Sequence, residues 1–301
     1  MSLRLRLLNA FLRIAVKPRL ARMRDPLKAR QDLERSARFL FRAPPYSLTL
    51  STQLENGRSA LWISNRPGSS DRKAQVIFYL HGGGYVAGSP TTHAKMLARL
   101  ARLTGLQVFA PAYRLAPEHP FPAAFEDAEF AFQALVAKGY DPSDIIIGGD
   151  SAGGGLALAL MAGLCEKETP PRAVFAFSPL TDMRFQSPSF ESNSDRDPLL
   201  PAAQKTLIKD MYLGTQGPED ARASPLLARF ACPPPPVFLQ FSETEILRDD
   251  SLRMADHLQQ AGGAVTLDQW SEPPHVWVLF DGLLPEARTA LERVAGFINR
   301  L

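Results

Sequence analysis

The 301-residue sequence lacks the features that mark several narrow structural classes. Its two cysteines, Cys165 and Cys232, are too few for a disulfide framework, and they show no Cys-x-x-Cys spacing that would indicate a structural metal. No stretch of the chain reaches the roughly 18 uninterrupted apolar residues that a transmembrane helix needs. Hydrophobic residues make up 45% and charged residues 22% of the chain, which is an ordinary globular composition. The sequence therefore favours a globular protein of a reducing compartment.

Acidic residues are scarce at the start of the chain. Residues 1–42 contain three acids against twelve lysines and arginines, which gives this segment a net charge of +9 in a chain of net charge +3. Its apolar residues recur near helical spacing and predict an amphipathic helix with a basic polar face: Leu5, Leu8, Phe11, Leu12, Ala15 and Val16. We expect this helix to dock on the main domain. Contact with an anionic membrane surface is the alternative, and nucleic-acid binding is not expected.

The same segment is a poor secretory signal. Arg13 and Lys17 interrupt its apolar run, and no small-residue cleavage site follows. A cytoplasmic location is therefore expected.

From Tyr46 onward, short apolar runs alternate with longer helical ones. An antiparallel hairpin is predicted at residues 48–54 and 60–64, and further strands at 76–80, 107–110, 144–148, 173–177, 237–241 and 265–270. Helices are predicted at residues 94–102, 123–137, 154–165, 251–260 and 286–298. This alternation, with several continuously apolar strands, predicts the α/β class, with a mostly parallel sheet and helices on both faces. Residues 181–236 interrupt the pattern and, with residues 1–42, are long enough to form a lid.

Gly149-Asp150-Ser151-Ala152-Gly153 joins a predicted strand to a helix of small residues. It fits Gly-x-Ser-x-Gly, a sharp turn that lifts the serine oxygen above the sheet edge, where glycines permit the close backbone approach. The positive end of the following helix points at the same place. We interpret Ser151 as a nucleophile and expect Asp150 to brace the surrounding loops.

His81-Gly82-Gly83-Gly84 follows the predicted strand at residues 76–80. The N–H groups of Gly82 and Gly83 can donate to a developing oxyanion together with the N–H of Ala152. A phosphate loop would need a Gly-Lys-Ser/Thr sequence before a helix, which is absent here. His81 is expected to make a structural hydrogen bond.

A nucleophilic serine needs a base and an orienting carboxylate, which in this kind of fold follow it in the order acid, then histidine. Two histidines follow Ser151. His275 is the better base, because it lies in a loop after the last predicted strand, whereas His257 lies within a predicted helix. The acid is expected in residues 242–250, where spacing does not choose among Glu243, Glu245, Asp249 and Asp250.

These residues resemble the hormone-sensitive-lipase-like carboxylesterases, also called bacterial family IV esterases, of the α/β-hydrolase superfamily. Four blocks match in the family's order over residues 74–301, namely residues 81–88, 113–123, 149–154 and 274–277. The acidic loop departs from the commonest family form, Asp-Pro-Leu-x-Asp, because Glu245-Ile246-Leu247-Arg248-Asp249 occupies those places. The resemblance implies that Glu245 is the triad acid and Asp249 a structural acid. Replacing Glu243 or Asp250 by its amide is expected to be near neutral.

The resemblance also implies a domain organisation and an activity. Residues 1–42 would form an N-terminal helical cap segment, and residues 43–301 an α/β-hydrolase catalytic domain in which residues 181–236 add a second cap segment. Ser151, Glu245 and His275 would hydrolyse short-chain carboxylic esters through an acyl-enzyme intermediate, with no metal or organic cofactor. The expected partner is a small-molecule ester, and a homodimer is left open.

Two alternatives remain beside this interpretation. One is an amidase or a large-ester or polyester hydrolase on the same triad. The other is a non-catalytic ligand receptor, which the presence of His275 disfavours.

Overall fold

An eight-stranded sheet organises residues 2–65 and 75–301, which are the residues that this computed structural model describes. The strands are β1 Leu48–Gln53, β2 Ser59–Ser64, β3 Val76–Leu80, β4 Gln107–Pro111, β5 Ile145–Asp150, β6 Ala173–Phe177, β7 Val237–Ser242 and β8 Val265–Trp270. Their order across the sheet is β1-β2-β4-β3-β5-β6-β7-β8. β2 runs antiparallel to β1 and β4, and the remaining neighbours are parallel. The predicted hairpin and mostly parallel sheet are confirmed.

Helices fill the connections between these strands. They are α1 Leu3–Phe11, α2 Lys17–Ala21, α3 Pro26–Leu40, α4 Pro90–Thr104, α5 Ala123–Ala137, α6 Ser151–Glu166, α7 Ser189–Ser192, α8 Lys205–Leu213, α9 Arg248–Gln260 and α10 Pro285–Ile298. A π-helical turn, Leu12–Val16, joins α1 to α2. Within the described ranges, no helix combines the length and the apolar character needed to cross a bilayer.

Helices cover both faces of the sheet. Strand β3 illustrates why the buried strands of the sheet appear in the sequence as unbroken apolar runs. Every residue of β3 is buried. Phe78 and Leu80 join one apolar cluster with side chains of α5, α6 and α9, whereas Ile77 and Tyr79 join a second cluster with side chains of α4 and α10. Alternate side chains of a strand point to opposite faces, so a strand between two helical layers needs apolar residues at every position.

Three helices, α4, α6 and α9, begin three or four residues earlier than their apolar periodicity predicts. Ser89 caps α4 by accepting a hydrogen bond from the Thr92 N–H, while the Thr92 side chain bonds back to the cap backbone. α9 begins at Arg248 rather than at residue 251, which places Asp249 and Asp250 in its first turn. Acidic residues are favourable there because they face the positive end of the helix.

The N-terminal segment contacts the body of the protein through one side of α1. Leu5 and Leu12 are buried, in agreement with the predicted apolar face. Phe11 and Ala15, predicted on the same face, are exposed instead. Phe11 lies six positions after Leu5 and therefore falls outside the i, i+3, i+4, i+7 set that shares one side of a helix.

Hydrogen bonds link this segment to residues 181–236. Lys17 Nζ donates to the carbonyl oxygens of Ser194 and Asp197, at 2.5 and 2.7 Å. Gln204 Nε2 donates in the opposite direction, to the carbonyls of Leu20 and Ala21. The two predicted cap segments therefore touch each other; Met1 and residues 66–74, which fall inside the predicted units, lie outside the described residues.

Candidate active site

The turn between β5 and α6 carries Ser151 at the carboxyl end of a central strand. Ser151 has a left-handed φ of 51°, and its side chain is partly exposed. The glycines on either side are required by close packing. A Cβ on Gly149 would lie 2.2 Å from the Gly153 carbonyl oxygen, and one on Gly153 would lie 2.2 Å from that of Leu80. The sequence thus folds into a tight turn that presents the serine above the sheet.

A buried carboxylate and imidazole pair follows β7 and β8. His275 Nδ1 lies 2.6 Å from Glu245 Oε2. The other carboxylate oxygen of Glu245 accepts hydrogen bonds from Ser178 Oγ and from the Ser242 N–H, both at 2.8 Å. Glu245 has no measurable exposure, so these three donors fix its orientation.

The electrostatics of His275 follow from this pairing. Burial by itself lowers the pKa of His275, but the hydrogen bond and the negative charge of Glu245 outweigh burial and raise the pKa above its ordinary value. The negative charge of Asp150, next to Ser151 in the chain, adds to the increase. Within residues 2–65 and 75–301, no hydrogen bond yet joins Ser151 Oγ to His275. Such contacts often form only when substrate binds.

The neighbouring carboxylates of residues 242–250 have other partners. Glu243 Oε1 accepts a hydrogen bond from Gln269 Nε2 at the surface, at 2.9 Å. Asp249 Oδ2 accepts from the Ser189 N–H, also at 2.9 Å. Glu245 is the carboxylate of this segment that contacts the histidine ring.

Asp250 has more contacts than the sequence suggests. It is fully buried, and its carboxylate accepts hydrogen bonds from the N–H groups of Thr181 and Asp182 and from Ser187 Oγ. Burial raises the pKa of Asp250 to about 6. The expectation that Asp250→Asn is near neutral does not agree with these contacts, because an amide presents N–H groups to at least one of the same donors.

The contacts of the glycine loop after β3 differ from the prediction for one residue. The Gly82 N–H donates to Asp150 Oδ1 at 2.9 Å, and a Cβ on Gly82 would lie 2.1 Å from the other carboxylate oxygen. The prediction that Gly82 donates to an oxyanion is therefore wrong, because its single N–H is already used. Within the described residues, the N–H groups of Gly83 and Gly84 make no hydrogen bond, and both glycines are partly exposed.

A third free donor comes from α6. The first N–H groups of a helix have no partner inside that helix, and Ala152 is the second residue of α6. The N–H groups of Gly83, Gly84 and Ala152 thus flank the serine turn. Such a group of fixed donors can stabilise an oxyanion.

Asp150 braces the glycine loop, as expected from the sequence. Besides the Gly82 N–H, its carboxylate accepts from the Tyr79 hydroxyl at 2.8 Å and pairs with His93 Nε2 at 3.3 Å. Burial by itself raises the pKa of Asp150, but the charge and hydrogen bond of His93 bring it below the ordinary value. Sequence reasoning missed His93, which carries no local motif.

The other histidines make structural contacts. His81 Nδ1 lies 2.9 Å from the Gly82 carbonyl oxygen, and its ring stacks on Tyr113 with centroids 4.2 Å apart. Burial, together with the nearby His93, lowers the pKa of His81 to about 3, so it is neutral at physiological pH. His257 Nε2, on α9, lies 2.7 Å from a backbone carbonyl oxygen of residue 228.

Comparison with known proteins identifies the family. Residues 77–279 match a family model described as the alpha/beta hydrolase fold. An acetyl-hydrolase of Streptomyces hygroscopicus is 36% identical over 242 residues, which cover 80% of this chain and 79% of that protein. An ethyl acetate hydrolase of Pseudomonas putida is 34% identical over 226 residues, which cover 73% of this chain and 71% of that protein. A crystal structure of an esterase from the bacterial hormone-sensitive lipase family matches with a TM-score of 0.91 and 37% identity, over 100% of this chain and 98% of that chain.

The chain belongs to the hormone-sensitive-lipase-like carboxylesterases. The resemblance inferred from the four sequence blocks is confirmed, and the protein is a carboxylic-ester hydrolase with the α/β-hydrolase fold.

Sequence reasoning also missed Asp197 of the esterase, which lies beside the buried pair. Its carboxylate accepts hydrogen bonds from the N–H groups of Leu199 and Leu200 and from that of Ile246, next to Glu245. Burial and the charge of Glu245 raise the pKa of Asp197. The Asp-Pro dipeptide at 197–198 indicates a turn, but nothing local in the sequence shows that this turn supports the acidic loop.

Both predicted cap segments of the esterase reach the glycine loop. Arg30 on α3 donates to the Val86 carbonyl and to the Ala116 carbonyl, each at 2.8 Å, and pairs with Glu118 at 2.6 Å. From residues 181–236, Ile208 lies against Gly84: a Cβ built there would be 3.6 Å from the Ile208 Cδ1.

Proposed function

We propose that the esterase hydrolyses short-chain carboxylic esters with Ser151 as nucleophile, His275 as general base and Glu245 as the acid that orients the base. The observation that carries this proposal is the 2.6 Å contact between His275 Nδ1 and Glu245 Oε2, at the same edge of the parallel sheet as the serine turn. A serine hydroxyl is a weak nucleophile, and a base held by a third group activates it.

In the acylation step, His275 Nε2 takes the Ser151 proton as Oγ attacks the ester carbonyl carbon. Glu245 stabilises the imidazolium that forms and keeps Nδ1 protonated, so that Nε2 faces the serine. The carbonyl oxygen becomes an oxyanion that accepts from Gly83, Gly84 and Ala152 N–H. One such donor contributes about 3 kcal/mol to transition-state stabilisation.

The tetrahedral intermediate then collapses. His275 gives its proton to the departing alkoxide, which leaves as the alcohol, and the acyl group stays on Ser151. In the second half, His275 takes a proton from water, and the resulting hydroxide attacks the acyl carbon through the same oxyanion donors. Collapse of this intermediate returns the proton to Ser151 and releases the carboxylic acid.

A short acyl group and a cap over the site belong to the same proposal. Relatives named acetyl-hydrolase and ethyl acetate hydrolase support the short acyl group. Support for a cap formed by residues 1–42 and 181–236 comes from their mutual hydrogen bonds and from their contacts with the glycine loop. Tyr212 on α8 stacks on Tyr85 of that loop with centroids 3.7 Å apart, which is a further contact between residues 181–236 and the glycine loop. A cytoplasmic location stays a prediction.

A graded panel of p-nitrophenyl esters tests the substrate class. We expect kcat/KM to peak at acyl chains of two to about six carbons and to fall steeply beyond, because a covered site limits chain length. Ser151→Ala serves as the matched blank and should lose on the order of 10⁶ in kcat while remaining folded.

An anilide of the best acyl group belongs in the same series. A peak at twelve carbons or more would contradict the short-chain proposal, and a higher kcat/KM for the anilide than for the ester would point to an amidase.

A further inference from the structure

The first helix of the protein has two apolar sides, and only one of them packs against the body. Leu5 and Leu12 are buried on the inner side. Leu3, Leu7, Phe11 and Ile14 are exposed on the outer side, by 71%, 63%, 54% and 80%. These residues recur every three or four positions, which places them on one face about 100° wide. We call them the outer stripe.

The outer stripe is unusual for a solvent-facing helix. A surface helix that docks through one apolar face normally carries polar side chains on the opposite face. Scattered exposed leucines are common on proteins, but a contiguous apolar face marks an interaction site. From the sequence, docking on the body and contact with a membrane are alternatives. In the structure, the side of the helix that packs on the body is not the side that carries the outer stripe, so the two contacts are compatible.

Positive charge surrounds the outer stripe. Arg4 flanks it on one side of the helix, and Arg6 and Arg13 flank it on the other, by their positions on the helical repeat. The guanidinium groups of Arg4 and Arg13 also donate to the carbonyl oxygens of Leu283 and Arg196, at 3.3 and 2.8 Å. Six basic side chains of residues 2–42 make no hydrogen bond or ion pair with any described residue: Arg6, Arg22, Lys28, Arg35, Arg38 and Arg42. This segment therefore presents cations that are free to meet another surface.

The acids of the same segment do not neutralise these cations. Asp25 caps α3 through the N–H groups of Leu27 and Lys28, and Asp32 pairs with Arg19 at 2.7 Å. Glu34 accepts a hydrogen bond from Ser89. Six of the twelve basic side chains of this segment therefore have no hydrogen-bond or ion-pair partner among the described residues.

An open depression of about 390 Å³ borders the stripe. Arg6, Arg13 and Ile14 line it together with Asn9, Ala10 and Glu272. Asn9 Nδ2 also donates to the Glu272 carbonyl, in the loop that leads to His275. The stripe therefore lies next to the catalytic loop.

We propose that the outer stripe inserts into the surface of an anionic phospholipid membrane, with the flanking arginines on the lipid phosphates. An apolar helical face with basic residues at its sides is suited to the boundary between headgroups and acyl chains, where both kinds of group are satisfied. A second copy of the chain fits less well, because a twofold contact through the stripe would bring the same arginines face to face. This inference goes beyond the proposed ester hydrolysis and does not depend on it.

Vesicle co-sedimentation tests the proposal with the full-length protein at physiological salt. The probes are vesicles of phosphatidylcholine alone and of phosphatidylcholine with about a third phosphatidylglycerol. The variant Leu7→Glu/Ile14→Glu places two charges on the outer stripe without touching a buried side chain. Leu48→Glu/Leu50→Glu is the matched control, because it makes the same change at exposed leucines of the edge strand β1.

We expect the wild type and the control to bind the anionic vesicles and to bind the neutral vesicles only weakly. The stripe variant should bind at least tenfold more weakly, with its melting temperature and its kcat/KM for a soluble short-chain ester unchanged. Absence of wild-type binding would overturn the proposal, as would equal binding by the stripe variant. It would also be overturned if sedimentation without vesicles showed a dimer that the stripe variant abolishes, because the stripe would then be a contact between copies.

Discussion

The loops at the carboxyl ends of the strands and the contacts between the two proposed cap segments are stabilised in different ways. In the loops at residues 81–88, 149–153 and 242–250, carboxylates and backbone N–H groups are fixed within buried networks, such as Asp150 with Gly82 and Glu245 with Ser242. The proposed cap segments, residues 2–42 and 181–236, are tied to each other mainly by long side chains that reach backbone carbonyls, such as Lys17 and Gln204.

This difference indicates that one set of contacts determines the reaction and the other determines substrate access. Buried carboxylates with several donors have one orientation, which is what a catalytic group needs. Long side chains on carbonyls hold a segment in place at a smaller gain in stability, and such a segment can open locally at low cost. We therefore expect substitutions of the buried Glu245–His275 pair to change the reaction, and substitutions in the cap contacts to change stability and substrate access.

The largest effect is expected at the buried pair. Glu245→Gln removes the charge that stabilises the His275 imidazolium, so kcat should fall on the order of 10⁴ while the protein remains folded. Glu243→Gln is the matched control two residues away, and it should keep nearly full activity because the Glu243 carboxylate bonds, among the described residues, only Gln269 at the surface.

The pH profile of the same variant gives an independent check. The base must be neutral to accept a proton, so activity is lost as the pH falls through the pKa of His275, which Glu245 raises. Without that charge the pKa decreases, and the acid limb of kcat/KM should move to lower pH. A limb that stays in place, or more than about a tenth of the activity in Glu245→Gln, would contradict the assignment.

A smaller effect, on stability, is expected at Asp250. Asp250→Asn should lower the free energy of unfolding by about 1–3 kcal/mol, because buried donors lose their acceptor. Asp256→Asn, at an exposed position of the same helix, is the control and should be neutral. Chemical denaturation of both variants measures the difference.

The pH dependence of this difference has a definite sign. The pKa of Asp250 is raised to about 6 in the folded protein, so the folded state binds more protons than the unfolded state below that pH. Its contribution to stability therefore falls as the pH increases from about 4 to 6. The destabilisation of Asp250→Asn should be larger at pH 5 than at pH 7, and the reverse trend would exclude Asp250 as the source.

The smallest effect is expected at a cap contact. Arg30→Leu removes hydrogen bonds to the carbonyls of Val86 and Ala116, and it should cost about 1–2 kcal/mol in stability, since this side chain is partly exposed. Because Val86 adjoins the glycine loop, kcat/KM should fall roughly threefold to tenfold. Arg35→Leu on the same helix, whose side chain makes no hydrogen bond to described residues, is the control. Equal stability and equal kcat/KM in the two variants would contradict the proposed link between α3 and the glycine loop.

The same contrast explains what the sequence can and cannot predict. The Gly-x-Ser-x-Gly turn and the glycine loop are local patterns in which residue type and backbone geometry constrain each other, so Ser151 could be located from its neighbours. Continuous apolar strands and their spacing gave the class of sheet for the same reason. Glu245 could be placed in a nine-residue segment, and only the resemblance to a family distinguished it from its neighbours.

The remaining features depend on partners that are far apart in the chain. Gly82 and Asp150 are 68 residues apart, and their hydrogen bond removes a donor that the glycine run would offer on its own. Asp250 meets Thr181 across a similar separation of 69 residues. The spacing of the apolar residues also predicted a single apolar side for α1. Spacing alone does not show which of two apolar sides packs against the body. No local rule contains this information, since it arises when the chain packs.

The most direct test of the account is labelling with a serine-directed phosphonate, followed by mass spectrometry of the intact protein and of its peptides. The phosphonate mimics the tetrahedral intermediate and traps the serine that the base activates. We predict one label per chain, located on Ser151, with labelling strongly slowed in Glu245→Gln and unaffected in Glu243→Gln. Stoichiometric label on any other residue, or equal labelling rates in the two variants, would contradict the triad of Ser151, His275 and Glu245.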